Sequence, residues 1–243
     1  MATLYPVVDL EPASYEDAGT ALHGWLARPA GMPRALVVVF PTIHNITPRV
    51  AEKTRALADA GYLAFCADFY GQEVTADNPG PPLAKELRAD NALYRQRLFA
   101  TISAAQSLEG AADLPVLAIG FCMGGQAVLE LARAGADLAA VASFHGLLGS
   151  AEPADSNTRI IPRILVCHGD RDPMVPRAQV AAFMQEMDRC GADWHLHIYA
   201  RAVHGFTDPA NDEKPVDAVG YDSSADRQSW AAMHSLFEEV LES

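Results

Sequence analysis

The sequence predicts an α/β protein: a doubly wound, mostly parallel sheet flanked by helices, with no large cap domain. Three observations carry this. Short, uninterrupted apolar runs recur along the chain, helical stretches separate them, and 243 residues of 50% hydrophobic content suffice to bury the core of a single domain over residues 1–243.

Taken in order, residues 20–28 read as an antiparallel strand ahead of the wound core. Residues 36–40, 63–67, 116–119, 139–144 and 164–167 are continuous apolar runs, the pattern of parallel strands covered on both faces. Residues 194–199 (WHLHIY) alternate with period two, which suits a strand nearer the sheet edge. Helices are expected at about 48–60, as one long helix at about 83–108, and at 123–134, 176–190 and 225–241. No internal repeat or low-complexity tract interrupts the series.

Charge and cysteine usage narrow the function classes. A formal net charge of −13 disfavours nucleic acid and anionic membrane as partners, while leaving a small-molecule substrate open. Four cysteines without a CxxC pair fit a reducing compartment better than a disulfide framework or a zinc ribbon. The N-terminal residues Met1 to Pro6, followed by Asp9 and Glu11, lack the basic start and apolar stretch of a signal peptide. No apolar run is long enough to span a bilayer. The expectation is a cytoplasmic protein; oligomeric state is not readable.

The chemistry centres on Cys122, in the run Ala118-Ile119-Gly120-Phe121-Cys122-Met123-Gly124-Gly125. An apolar strand there ends in a glycine-flanked turn and enters a helix, the form of a nucleophile elbow with sulfur in place of serine oxygen. Gly120 and Gly124 supply the small residues needed two positions before and two after, where backbone segments crowd together. A helix start also favours thiolate through its dipole. Cys66 and Cys167 lie inside apolar runs and Cys190 ends a helix, so they are assigned structural roles. No serine stands in a Gly-x-Ser-x-Gly frame.

Two later strands end in suitable partners. After the run 164–167 comes His168-Gly169-Asp170-Arg171-Asp172, and after the run 194–199 comes Ala200-Arg201-Ala202-Val203-His204-Gly205-Phe206. Nucleophile, carboxylate and histidine then follow the chain order of the α/β-hydrolase arrangement, at the carboxyl edge of the sheet where such chemistry gathers. Spacing leaves Asp170 and Asp172 as rival carboxylates.

With these motifs in view, the chain resembles the dienelactone hydrolases (carboxymethylenebutenolidases) of the α/β-hydrolase fold. The resemblance also covers Gly24-Trp25-Leu26-Ala27-Arg28-Pro29 and Gly61-Tyr62 leading to Asp68-Phe69-Tyr70-Gly71. It implies a cysteine-dependent hydrolase of a small lactone, ester or thioester with a Cys122, His204, Asp172 triad and a thioacyl intermediate. The family pattern Gly-x-x-Asp-x-x-Val selects Asp172 over Asp170, with Gly169 and Val175 in register. It also implies an oxyanion hole made by the N–H groups of Met123 and Ile43. Where the family keeps a glutamate that interacts with the resting cysteine, this chain has Thr42.

Thr42, His44 and Arg201 are expected to line the pocket. Arg88, Arg95 and Arg97 fall on the long predicted helix, where surface solvation is the default. His145 reads as a packing residue or pocket wall. His44, His145, His168, His195 and His197 show no metal-site spacing, so neither metal nor cofactor is expected. The loops 77–82 and 152–158 are candidates to border the pocket, and the polar stretch 208–222 reads as a surface excursion rather than a lid. A redox-active cysteine protein and a non-catalytic binder on the same fold are the alternative function classes.

Overall fold

The computed structural model describes residues 10–213 and 217–242. The signal-peptide reading of residues 1–9, and Pro215 in the 208–222 stretch, lie outside them. The chain divides into two compact units, Met1–Ala118 and Ile119–Ser243.

In the first unit, β1 (Glu11–Asp17) pairs antiparallel with β2 (Thr20–Ala27) across a turn at Ala18 and Gly19, whose φ angles are 47° and 83°. Two consecutive positive φ values match the twist of a tight hairpin. β2 pairs antiparallel with β4 (Leu63–Cys66), and β4 runs parallel to β3 (Leu36–Phe40). The sequence reading missed β1 because its residues EPASYED are mostly polar and exposed. An edge strand has one solvated flank and shows no apolar run. Its anchor is Tyr15, which donates to the Asp68 carbonyl at 3.0 Å and meets Phe65 edge-on at 5.6 Å.

α1 (Pro48–Asp59) starts where expected, with Thr47 Oγ1 accepting the Val50 N–H at 3.3 Å and proline in the first turn. The single helix expected over 83–108 is instead two, α2 (Gly80–Ala89) and α3 (Asn91–Gln106). Asp90 breaks it: the residue is extended (φ −112°, ψ 103°) and its carboxylate caps the Leu93 N–H at 3.0 Å. Aspartate competes for backbone in this way, which apolar periodicity does not reveal. Arg97 corrects the surface expectation as well, being buried with Nε on Asp17 and Nη1 donating to the Phe69 carbonyl at 2.9 Å. Its charge is tolerated inside because both partners face it. Phe40, Phe65, Phe69 and Tyr94 fill this core.

β5 (Val116–Phe121) carries the chain from the first unit into the second. There β6 (Ala140–Phe144), β7 (Arg163–Gly169) and β8 (Trp194–Tyr199) pair in parallel. α4 (Met123–Arg133), α5 (Arg177–Cys190) and α6 (Ser223–Glu242) complete the unit, with Phe144, Phe183, Phe206 and Phe237 fully buried. Buried Arg133 joins Glu130 and Glu186 and donates to the Leu148 carbonyl at 2.7 Å, bracing α4, α5 and the segment after β6.

The strands follow the order β1-β2-β4-β3-β5-β6-β7-β8, a mostly parallel sheet flanked by helices as the sequence predicts. The half-exposed β8 ends that order, which accounts for its period-two pattern. No helix among the described residues is long and apolar enough to cross a membrane.

Candidate active site

The site begins where β5 turns into α4. Cys122 occupies the turn at φ 56°, ψ −112°, a region a side chain enters only when its surroundings enforce it, at about 1–3 kcal/mol. The surroundings do so by close approach. A Cβ on Gly120 would fall on the Gly124 carbonyl, and one on Gly125 would stand 2.7 Å from Ser143 Oγ and 2.8 Å from the Gly146 Cα. Only glycine permits these contacts. The Cys122 N–H is shared between the Phe144 carbonyl at 3.0 Å and His145 Nδ1 at 3.2 Å.

The carboxylate and histidine come from the segments after β7 and β8. Asp172 turns back on Gly169, its N–H reaching that carbonyl at 3.0 Å, while its Oδ1 accepts the Met174 N–H at 2.8 Å. This leaves Oδ2 aimed at His204 Nδ1, 2.7 Å away, and His204 Nε2 stands 3.1 Å from Cys122 Sγ. Both Asp172 and His204 are buried. Burial works against a charged imidazole, but hydrogen bonds to Asp172 and Cys122 outweigh it and raise the His204 pKa to about 10. Asp170 lies outside this line, its carboxylate paired with Arg177 at 2.6 and 2.8 Å on the surface.

The stretch 208–222 is more than the surface excursion expected of it. Asn211, buried in a 3-10 turn (Pro209–Glu213), donates to the Gly205 carbonyl at 2.7 Å. His204 gives its N–H to the Ala218 carbonyl and receives that of Gly220, both at 3.1 Å. A polar sequence hides this role because the contacts are made to backbone.

The remaining candidates belong to several segments of the chain. Met123 is the first residue of α4, whereas Ile43 lies in the turn after β3 and its carbonyl accepts from Tyr70 Oη at 3.0 Å. Thr42 Oγ1 holds the His44 N–H at 3.1 Å. His44 lines a cavity of about 320 Å³ within the first unit, alongside His23, Trp25, Asn45, Asp68 and Glu73. The loop residue Asn78 folds back on Glu73, and Ala154 of the 152–158 loop gives its N–H to Glu186 at 2.7 Å. Arg201 is exposed, and Arg88 folds onto the Ala84 carbonyl of its own helix at 3.1 Å.

His168 is buried, while His195 and His197 are exposed on β8; among the described residues, no three histidine, cysteine or acidic side chains are arranged to hold a metal ion. All four cysteines are free. Burial pushes the Cys167 thiol up to about 12 and Cys66 higher still, which keeps both as inert thiols.

Thr207 is a buried neighbour of His145 that sequence reasoning did not single out. Its Oγ1 meets His145 Nε2 at 2.8 Å, and no local pattern announces a contact across 62 residues.

Comparison with known proteins is consistent along the chain. A model described as the dienelactone hydrolase family matches residues 22–241. A probable 2-oxo-3-(5-oxofuran-2-ylidene)propanoate lactonase from Bradyrhizobium sp is 30% identical over 214 residues, 82% of this chain and 85% of that protein. A solved structure named m3DLH is 34% identical, with a TM-score of 0.88 over 97% of this chain and 99% of the other. The crystal structure of P91, a dienelactone hydrolase-like promiscuous phosphotriesterase from metagenomic libraries, is also 34% identical. Its TM-score is 0.85 over 96% of this chain and 98% of that one.

Proposed function

The chain belongs to the dienelactone hydrolase family, and from that premise we propose that it cleaves a small lactone, ester or thioester through Cys122, His204 and Asp172. The observation that carries this reading is the hydrogen-bonded line from Asp172 Oδ2 through both nitrogens of His204 to Cys122 Sγ, at 2.7 and 3.1 Å. Carboxylate, imidazole and thiol stand within hydrogen-bond reach in the order that nucleophilic catalysis requires.

In this mechanism the Cys122 proton already resides on His204, and the thiolate forms a C–S bond to the substrate carbonyl carbon. The carbonyl oxygen takes the negative charge and is met by the Met123 N–H at the start of α4, with Ile43 assigned by the family resemblance as second donor. Loss of one such donor costs about 3 kcal/mol in the transition state. As the C–O or C–S bond to the leaving group breaks, His204 protonates that group. Water then attacks the thioester carbon and gives a proton to His204, and the C–S bond breaks to release the acid and restore the thiolate–imidazolium pair. Asp172 keeps Nδ1–H pointed at itself throughout and stabilises the imidazolium.

The raised pKa of His204 supports a thiolate–imidazolium pair that persists at rest. Thr42 stands where the family's glutamate would interact with the thiol, so the pair and the dipole of α4 govern Cys122 here. Alkylation of Cys122 against pH checks this: a midpoint well below the free-cysteine value of about 8.5 is expected, and a midpoint at that value would refute it. Four free cysteines also suit the reducing conditions of the cytoplasm.

The decisive experiment runs lactones, p-nitrophenyl esters, thioesters and a phosphotriester on wild type and Cys122→Ala. The phosphotriester arm asks whether the promiscuity named for P91 extends to this chain. Turnover of at least one carboxylic-ester class is expected, with a loss on the order of 10⁴-fold or more in the variant. Undiminished hydrolysis by Cys122→Ala would overturn the reading.

A further inference from the structure

We propose that His145 is a positioning residue for the Cys122–His204 pair, tying the backbone amide of the nucleophile to the loop that carries the base. This rests on the reading of Cys122 as nucleophile. Nδ1 of His145 accepts the Cys122 N–H at 3.2 Å, so that nitrogen carries no proton. The hydrogen of the neutral ring must then sit on Nε2, which donates to Thr207 Oγ1 at 2.8 Å. Thr207 lies three residues beyond His204 on the same loop. One imidazole therefore links the elbow to the histidine loop through two directional bonds.

The setting of the ring matches that task. His145 has φ 43°, a left-handed conformation unusual outside glycine and asparagine, and its N–H is fastened to the Cys167 carbonyl at 2.9 Å. Backbone strain of this kind is retained where the surroundings over-determine it. The ring sits edge-on to Phe206 at 5.2 Å and to His204 at 5.3 Å, with Phe121 at 6.2 Å. Burial, then the charge of His204, hold its pKa well below the ordinary value, so it stays the neutral acceptor Cys122 needs. Protonation would set an Nδ1–H against the Cys122 N–H. His204 is the titrating group whose charge reaches the ring; the Cys122 contact is a backbone N–H and Thr207 does not titrate.

Three variants test the bracket. His145→Phe keeps a ring and removes both nitrogens, His145→Asn restores a short acceptor and tolerates the left-handed backbone, and Thr207→Val removes only the far partner. Each is measured by kcat and KM for an ester against pH, by iodoacetamide alkylation of Cys122 against pH, and by thermal melting. His145→Phe is expected to lose on the order of 100-fold in kcat/KM, mainly in kcat, the penalty of a reacting pair displaced by about 1 Å. Its alkylation midpoint moves up toward about 8.5 as the thiolate loses its aligned partner. His145→Asn recovers most of both, and Thr207→Val shows the same upward shift to a lesser degree.

A His145→Phe protein that melts cooperatively with an unshifted alkylation profile would overturn the proposal. If that variant does not fold, an unshifted profile in Thr207→Val overturns it instead. Cys122→Ala run in parallel separates the two readings: hydrolysis that survives in it breaks the hydrolase assignment itself. Hydrolysis lost in Cys122→Ala but untouched in His145→Phe breaks only the role of His145.

Discussion

His204 and His145 stand with ring centroids 5.3 Å apart, both buried, and are driven in opposite directions. His204 is raised to about 10 while His145 is held well below the ordinary histidine range. Burial lowers both, so solvent exclusion does not explain the divergence. Partner chemistry does. The segment after β7 offers His204 a carboxylate and the elbow offers it a thiol, both of which reward a positive ring. For His145 burial prevails, the charge of His204 adds to it, and the partners are an amide N–H and a hydroxyl, which a neutral ring can serve. In the proposed mechanism these neighbouring rings divide the work, one to move protons and one to hold position.

The most forceful way to break this contrast is Asp172→Asn. It deprives His204 of its anionic partner while preserving shape, and kcat should fall on the order of 10⁴-fold. The His204 imidazole resonances, followed by NMR across pH, should then titrate lower than in wild type. An unchanged titration would show that Asp172 is not what separates the two histidines.

A smaller effect appears in stability against pH. The His204 pKa is raised from 6.5 to about 10, so its contribution is complete below about 6.5 and is lost as pH climbs through about 10. His145 is shifted the other way; its contribution is present above 6.5 and lost as pH falls toward its folded-state value. Urea unfolding of wild type should therefore show stability falling over the alkaline window, with a shallower decline in Cys122→Ala. The smallest effect belongs to Asp170→Asn. That carboxylate meets exposed Arg177 rather than His204, so kcat/KM should stay within about twofold. A large loss there would move the acid role to Asp170.

Legibility in the sequence followed the range of the contact. Leu36–Phe40 and Val116–Phe121 announced themselves because strands covered on both faces are apolar throughout. β1 did not, since an edge strand of polar residues owes its place to a partner and to Tyr15 reaching Asp68, 53 residues away. The break at Asp90 escaped because one capping hydrogen bond decides it and the flanking apolar pattern runs on regardless. Arg97 looked like a solvated helix residue until Asp17, 80 positions distant, supplied its counter-charge.

What the sequence by itself determined is the turn that carries Cys122 and the chain order of Cys122, Asp172 and His204. A nucleophile elbow is a local object: Gly120 must be glycine because a Cβ there would fall on the Gly124 carbonyl, and the strand, glycines and helix that frame Cys122 are contiguous in the chain. Tertiary structure alone decided that His145 bonds both the Cys122 amide and Thr207, and that residues 218–220 clasp His204. These depend on hydrogen bonds between segments tens of residues apart. A bond of that kind is set by angles and distances of a few ångströms, and folding brings its two ends together without leaving a pattern at either one.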